Sequence, residues 1–189
     1  MLGSQLAELV WTGPEGHGAF SRDTSVVVRE LFERAQHSIL LSTFVVHQGR
    51  TVFEPLAKRM DEVPALHVQM FLHVGRGPRD TRYESEILRE FASEFKANWP
   101  GSRLPEVFYD PRALATESRE RATWHAKCVV VDDSVAFVTS ANFTEWAQQR
   151  NVEAGVLVRE ARFAVQLRGQ FEGLVDAQLV HRVPGCRLP

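Results

Sequence analysis

The sequence contains little cysteine and no long apolar run. Two cysteines among 189 residues are too few for a disulfide framework or for a cysteine-only zinc site, and they fit a reducing compartment. No segment approaches the ~18 consecutive apolar residues of a membrane span. Residues 1–18 lack the basic start and the apolar block of a signal peptide. We therefore predict a cytoplasmic protein that makes no membrane contact.

The chain also lacks an excess of either charge. Its 22 basic and 24 acidic residues give a formal net charge of −2, so no overall positive field attracts it to nucleic acid or to an anionic membrane. Any such partner must be held by a local site. Lysine is scarce, because all the basic residues except Lys58, Lys96 and Lys127 are arginines.

The pattern of apolar residues predicts strands that alternate with helices. Nearly continuous apolar or β-branched runs predict strands at residues 38–46, 66–74, 106–109, 124–132, 135–139 and 151–158. Apolar residues at helical spacing predict helices at residues 24–36, 51–61, 83–95 and 161–175. We expect one α/β domain over residues 1–189, with a mixed β-sheet flanked by helices on both faces. Strands 124–132 and 135–139 are expected to form a hairpin with a tight turn at Asp133-Ser134.

Polar side chains cluster around this predicted hairpin. His125 and Lys127 are two residues apart, so on a strand they point to the same face. Ser140 and Asn142 follow the end of the next strand, and hairpin pairing can bring them beside the first strand. An imidazole, an ammonium, a hydroxyl and an amide at one place suit a tetrahedral phosphoryl group. A compact ammonium with three donors fits that role in a chain that otherwise uses arginine.

This segment resembles the HKD motif of the phospholipase D superfamily. The resemblance is carried by the run His125-x-Lys127-x4-Asp132-x6-Thr139-Ser140-x-Asn142 and extends to residue 158. Residues 139–145 and 151–158 are most similar to small bacterial members with a single motif, among them components of antiphage defence systems and endonucleases. One departure is Thr139, which stands where the motif usually has glycine. The resemblance implies a phospholipase-D-like fold.

The resemblance also implies a two-step phosphodiester transfer through a phosphohistidine, without a metal or other cofactor. His125 would be the nucleophile, and a histidine from a second copy of the motif would protonate the leaving oxygen. Lys127 and Asn142, assisted by Ser140, would hold the non-bridging oxygens and stabilise the transition state.

Two carboxylates belong to the same resemblance. Glu153 is similar to the acidic residue that orients the nucleophilic histidine in the single-motif endonucleases, where it favours the charged phospho-adduct. Asp132 completes the HKD motif. At ~3.3 Å per residue it lies roughly 23 Å along an extended strand from His125. We therefore interpret Asp132 as a structural member of the catalytic motif.

Residues close to the motif are candidates for substrate binding. Arg76 and Arg79 lie in a glycine-bearing loop and Arg121 precedes the motif strand, so all three are candidate phosphate contacts. Trp124 is a candidate for stacking on a base. The alternatives are solvated loops for the arginines and a core position for the tryptophan.

The number of motif copies bears on assembly and function. The superfamily site uses two copies, whereas this chain has a lysine two residues after only one of its histidines, His125. The resemblance therefore implies a homodimer with a shared active site. We expect a nuclease that acts on DNA or RNA in antiphage defence, with other defence-system subunits as further partners. A phospholipase or phosphatidyltransferase, and a non-catalytic subunit that binds nucleic acid, are the alternatives.

Overall fold

The computed structural model describes residues 6–14, 21–44, 49–144 and 151–186. Within these ranges the strands are β1 Ala7–Thr12, β2 Arg22–Asp23, β3 Ser38–Thr43, β4 His67–Leu72, β5 Glu106–Tyr109, β6 Cys128–Val131, β7 Val135–Thr139, β8 Glu153–Val158 and β9 His181–Arg182. The helices are α1 Thr24–Arg34, α2 Gly49–Glu62, α3 Glu84–Asn98 and α4 Ala161–Asp176, with short 3-10 turns at Pro111–Leu114 and Ser118–Glu120. No helix in these ranges is both long enough and apolar enough to cross a membrane.

The strands form one mixed sheet in the order β2-β1-β8-β7-β6-β3-β4-β5-β9. β3, β4 and β5 are parallel, whereas β6, β7 and β8 pair only with antiparallel neighbours. At the two edges, β1 is antiparallel to β8 but parallel to β2, and β9 is antiparallel to β5. Alternate residues of β3 enter opposite halves of the core. Ile39 and Leu41 pack with residues of α1, α2 and α3, and Leu40 packs with Phe171 of α4. The predicted α/β fold, a mixed sheet with helices on both faces, is confirmed.

The structure adds strands that the sequence pattern does not predict. β2 and β9 have two residues each, which is too short for a periodic signal. β1 lies near the sheet edge and alternates only weakly between exposed and buried positions. The predicted strand 38–46 ends at Thr43, and its residues 45 and 46 fall outside the described ranges.

The motif strand begins later than predicted, at Cys128 instead of residue 124. Side chains replace the regular backbone ladder over this stretch. The Ser42 hydroxyl donates to the Ala126 carbonyl at 2.9 Å, and the Trp124 N–H donates to His73 Nδ1 at 3.3 Å. Pairing with β7 persists as far as the Lys127 carbonyl, which accepts from the Thr139 N–H at 3.1 Å. The segment 124–127 is therefore held by specific contacts as it enters β6.

The β6–β7 hairpin turns one residue earlier than predicted. Asp132 and Asp133 have φ angles of +48° and +50°, and the Ser134 N–H donates to the Val131 carbonyl at 3.0 Å. Aspartate enters this left-handed region more readily than most residues. The predicted position of the turn, at Asp133-Ser134, is wrong by one residue because the side chain of Asp132 has partners elsewhere in the fold.

Asp132 joins the hairpin turn to the segment between α1 and β3. Its carboxylate accepts from the backbone N–H groups of Gln36, His37 and Ser38 at 2.8, 2.7 and 2.8 Å. Burial raises the pKa of the Asp132 carboxyl, but the hydrogen bonds from these three N–H groups lower it by more. The pKa of Asp132 therefore lies below the ordinary value. The charged carboxylate is therefore the form that stabilises the hairpin.

A buried arginine fixes α4 to the same turn. Arg168 is 7% exposed, donates to the Asp133 carboxylate, and donates to the Ser38 hydroxyl at 2.9 Å. Because a buried guanidinium is costly without partners, this pairing sets the position of α4 against the end of the hairpin.

Replacing Asp132 by asparagine is expected to lower the free energy of unfolding by about 1–3 kcal/mol at neutral pH, because the charge-assisted hydrogen bonds to the N–H groups of residues 36–38 are weakened or lost. The pKa of Asp132 is lowered by folding, so its stabilisation is present above its unfolded-state pKa and is lost as the pH falls through the folded-state value. Urea denaturation of the variant and of the wild type, at neutral pH and over an acidic series, measures the loss of stability and its pH dependence. Asp176→Asn, at the exposed end of α4, is the matched control and should change little. Equal stability of Asp132→Asn and wild type at neutral pH would contradict this role.

Candidate active site

The residues predicted to act together meet at one end of the sheet. His125 and Lys127 precede β6, while Ser140 and Asn142 follow β7. Glu153 is the first residue of β8, which pairs with β7. Antiparallel pairing places the start of β6 and of β8 beside the end of β7. This juxtaposition follows from the hairpin that the sequence predicts.

Lys127 and His125 form the centre of this cluster. The Lys127 Nζ lies 3.2 Å from both ring nitrogens of His125 and donates to the His125 carbonyl at 2.9 Å. The lysine is 7% exposed, whereas the His125 side chain is open to solvent. Burial lowers the pKa of Lys127, and the negative charge of Glu153 opposes that shift. A buried ammonium thus lies directly beside an accessible imidazole.

Glu153 contacts different partners from the one predicted. Its Oε2 accepts from the Ser140 hydroxyl at 2.5 Å, and its Oε1 accepts from the Asn151 amide at 3.0 Å. The hydrogen bonds of the described residues include none between Glu153 and the His125 ring. β8 places Glu153 next to the residues that follow β7, so both carboxylate oxygens are occupied there. In this structure Glu153 orients Ser140 and acts on Lys127 through its charge, and its predicted role in orienting His125 stays a prediction.

Asn151 is a site residue that the sequence reasoning missed. It lies two residues before Glu153, and its side chain reaches back to the carboxylate. The Ser140 hydroxyl is held in turn, since it accepts from the Ala154 N–H at 3.1 Å. Ser140, Asn151 and Glu153 therefore form one ordered polar group beside Lys127.

Asn142 has a buried amide oxygen that lacks a hydrogen-bond partner among the described residues. Leaving such an atom unpaired costs about 1–3 kcal/mol. The oxygen and nitrogen of a side-chain amide are assigned from their hydrogen bonds. In the reverse orientation the unpaired atom of Asn142 would be a donor instead of an acceptor.

Thr139 is accommodated at the position where the motif usually has glycine. Its cross-strand partner is Gly155, where an added Cβ would lie 3.0 Å from the Thr139 Cβ and 2.6 Å from Phe137 Cε2. The Thr139 hydroxyl accepts from the Ala141 N–H at 3.0 Å and so shapes the turn after β7. The glycine on the neighbouring strand makes room for the threonine.

His73 and Phe44 adjoin the site, although the sequence reasoning gave neither a role in it. The His73 ring stacks on Phe44 with centroids 4.6 Å apart, and the Phe44 centroid is 5.6 Å from that of His125. Burial lowers the pKa of His73 most, Asp110 opposes the shift, and His125 lowers the pKa further through its charge. The position of the His73 ring depends on Gly75, because a Cβ at residue 75 would lie 2.5 Å from His73 Nε2. The sequence signal that could have indicated their proximity is that Phe44 directly follows β3 and His73 directly follows β4, because these two strands are parallel.

Two of the predicted phosphate-binding arginines stabilise loops instead. Arg76 is 9% exposed and donates to the carbonyls of Leu114 and Arg82 at 2.7 and 2.6 Å. Arg121 donates to the carbonyls of Ala115 and Thr116 at 2.8 and 3.0 Å. Loop carbonyls near the sheet end need donors, and these guanidinium groups supply them. Arg79 differs, because it is exposed in its loop.

The remaining predicted residues lie away from the reactive cluster. The Trp124 indole donates to the Ser42 hydroxyl at 2.9 Å and stacks on Phe71 with centroids 5.9 Å apart, so it packs in the core and does not present a face to a base. Asp132 lies at the far end of β6, in its contacts with residues 36–38. Within the described ranges, no group of three or more His, Cys, Asp or Glu side chains is arranged to hold a metal ion.

Known proteins share this fold and sequence pattern. The family described as "Cardiolipin synthase, PLD-like domain" matches residues 28–175. The DISARM protein DrmC of Bacillus paralicheniformis is 28% identical over 151 residues, which are 80% of this chain and 56% of that protein. The chain thus spans little more than half the length of this curated relative.

Solved structures extend the comparison to the fold. Nuc of Salmonella typhimurium, described as a phospholipase D family member, aligns with a TM-score of 0.58 and 15% identity over 93% of this chain and 96% of its own. NucT of Helicobacter pylori aligns with a TM-score of 0.54 and 12% identity over 80% of this chain and 86% of its own. Phosphatidylserine synthase of Haemophilus influenzae aligns with a TM-score of 0.62 and 16% identity over 93% of this chain and 39% of its own. The predicted phospholipase-D-like fold is confirmed.

The electrostatic effect of His125 on His73 generates a testable prediction. Replacing His125 by asparagine is expected to raise the pKa of His73, because the repulsion from a second positive ring is removed. Imidazole titration followed by NMR measures this directly. His181→Asn, on β9, removes an exposed histidine and should leave the pKa of His73 unchanged. An unchanged or lower pKa of His73 in His125→Asn would show that the two rings are not electrostatically coupled.

Proposed function

The chain belongs to the phospholipase D superfamily, in the family of PLD-like domains, and from this premise we propose that it is a phosphodiesterase that cleaves nucleic acid through a phosphohistidine. The observation that carries the proposal is the buried Lys127 ammonium 3.2 Å from both ring nitrogens of the exposed His125. A nucleophile that must approach a phosphodiester needs this combination of access and adjacent positive charge.

In the proposed first step, a neutral His125 nitrogen attacks phosphorus. A nitrogen–phosphorus bond forms, the bond to the leaving oxygen breaks, and that oxygen takes a proton from a second histidine. In the second step the second histidine removes a proton from water, the water oxygen bonds to phosphorus, and His125 leaves. The phosphohistidine is thereby hydrolysed and both rings return to their starting state.

The surrounding groups have distinct roles in this proposal. Lys127 neutralises charge on the non-bridging oxygens, where a preorganised cation is worth most in the transition state. Asn142 supplies an amide donor to the same oxygens. Ser140 completes the receptor when its O–H, which here donates to Glu153, turns to a phosphate oxygen. Glu153 also favours the charged form of Lys127. Neither a metal ion nor another cofactor takes part in the proposed steps.

The second histidine would come from a second copy of the chain. The sequence has one His-x-Lys pair, and the histidine of that pair is exposed at the end of the sheet. Two copies related by a two-fold axis can therefore present their His125 rings to one phosphate. We infer an obligate homodimer with one shared active site.

The biological setting belongs to the same proposal. Similarity to the DISARM protein DrmC supports a role in antiphage defence beside other subunits, although the chain covers only 56% of that protein. Two free, buried cysteines are consistent with a cytoplasmic location. Because the net charge of −2 gives no general attraction to nucleic acid, binding depends on this site or on a partner that delivers the substrate.

The function is tested with labelled single- and double-stranded DNA, RNA and phospholipid, each in excess EDTA. We expect cleavage of nucleic acid by the wild type, and a rate at least about 1,000-fold lower for His125→Ala and about 100-fold lower for Lys127→Met. Lys58→Met and His181→Ala make the same two kinds of substitution at exposed positions outside the site and should keep full activity. Turnover of lipid alone would replace the nuclease proposal by a phospholipase or phosphatidyltransferase. Binding of nucleic acid without turnover would indicate a non-catalytic subunit.

The shared site is tested by subunit mixing. Wild-type chains are refolded with a roughly tenfold excess of His125→Ala chains, so that random pairing leaves about one wild-type chain in ten with a wild-type partner. Activity per wild-type chain is expected to fall about tenfold, because each heterodimer lacks one of the two histidines. Unchanged activity per wild-type chain would show that each chain carries a complete site. Refolding with an excess of His181→Ala chains is the control.

A further inference from the structure

A cavity of about 550 Å³ adjoins the candidate active site. Phe44 and His73 line it, and the Phe44 ring centroid lies 5.6 Å from that of His125. Residues of α3 and residues 74–77 also line the cavity. Phe44 therefore contacts both the cavity and the ring of the proposed nucleophile.

Flat aromatic surfaces dominate the inner walls. Phe91 stacks with Phe95 at an interplanar angle of 20°, and Phe95 stacks with Trp99 at 23°. Phe53 continues the series, stacked on Trp99 at 27° with centroids 6.0 Å apart. Phe53, Phe95 and Trp99 are buried against one another, whereas Phe91 is only partly buried and leaves an aromatic surface on the cavity for a planar ligand. Stacking of this kind is worth about 1–3 kcal/mol for each base in nucleic-acid complexes.

The charged side chains that line the cavity are Arg76, Arg82, Asp80, Glu90 and Glu94, and both arginines have partners within the protein. Arg82 is paired with Asp80 and with Glu90, each at 2.7 Å. The Glu94 carboxylate also lines the cavity, and within the described part of the chain it has no hydrogen bond or ion pair. The surroundings therefore disfavour a phosphate in the cavity. They favour a neutral ring with N–H donors that can reach a free carboxylate.

We propose that this cavity binds the base of the nucleotide next to the scissile phosphate, with guanine preferred. The proposal rests on the nuclease function proposed above and specifies its substrate. Guanine presents two adjacent donors, N1–H and N2–H₂, which match the two oxygens of the Glu94 carboxylate. The ring system stacks against Phe91 and its neighbours while the phosphate lies at His125 and Lys127. A quaternary ammonium headgroup would be attracted by the same charge and rings, but it has no N–H donor to pair with the two carboxylate oxygens of Glu94.

The test uses single-stranded oligonucleotides with one phosphodiester linkage, all other linkages being uncharged methylphosphonates. This design fixes the bond that can be cleaved. Replacing the base on one side of that bond by an abasic residue is expected to lower kcat/KM about 10- to 100-fold in the wild type. Guanine at that position should be preferred over the other bases about 5- to 100-fold. Equal rates for abasic and guanine substrates would overturn the proposal.

Variants connect these effects to the cavity. Glu94→Gln keeps the shape of the side chain and should abolish the preference for guanine, while Phe91→Ala should greatly reduce the penalty for the abasic residue. Leu88→Ala is the matched control, because it truncates a buried residue of the same helix that does not line the cavity. It should retain both effects. Preserved guanine preference in Glu94→Gln would contradict the assignment of this carboxylate.

A binding experiment separates failure of this inference from failure of the proposed function. Fluorescence anisotropy measures the affinity of His125→Ala for the same oligonucleotides, so no cleavage is needed. Guanine-dependent binding that Glu94→Gln removes would support the cavity even if the wild type cleaves nothing. Base-independent binding together with wild-type cleavage would overturn the cavity and leave the nuclease function standing. Competition by phosphocholine, but not by guanosine monophosphate, would identify the cavity as an aromatic cage for a lipid headgroup instead.

Discussion

The antiparallel pairing of β6 with β7 is the interaction on which the rest of the site depends. It aligns Cys128 with Val138, and the last bond of the ladder runs from the Thr139 N–H to the Lys127 carbonyl. A slip of one residue would turn Lys127 to the opposite face and separate it from Ser140. Both ends of the hairpin are secured. Asp132 fixes the turn to the start of β3, and the Ser42 hydroxyl holds the entering segment.

Burial of Lys127 opposes the stability of the fold but serves the proposed chemistry. An ammonium with little solvent requires compensating partners, and the structure provides the His125 carbonyl and the charge of Glu153. The same low exposure strengthens the interaction between the lysine and a phosphate oxygen. Ser140 and Asn151 hold the Glu153 carboxylate whose charge acts on Lys127. The site thus concentrates polar groups that an ordinary core would exclude.

The fold and the reactive centre could be predicted where the information is local. Within the described ranges, apolar periodicity predicts the four helices and, apart from β1, every strand of four or more residues. The spacing of His125, Lys127, Ser140 and Asn142 predicts their meeting at one sheet end. The prediction fails where partners come from distant segments. The roles of Arg76 and Arg121 depend on which loop carbonyls lack donors. A list of basic residues in loops does not contain that information.

By itself, the sequence determined the order of the elements, the family resemblance and the set of groups available for phosphoryl chemistry, because these reside in residue identity and short-range spacing. Only the tertiary structure decided which groups touch. It paired Glu153 with Ser140, and it brought His73 and Phe44 from two parallel strands to the side of His125. It also formed the aromatic cavity between α3 and the sheet. Contacts of this kind depend on how separate elements pack and on which polar atoms remain unpaired, and neither property is local in the chain.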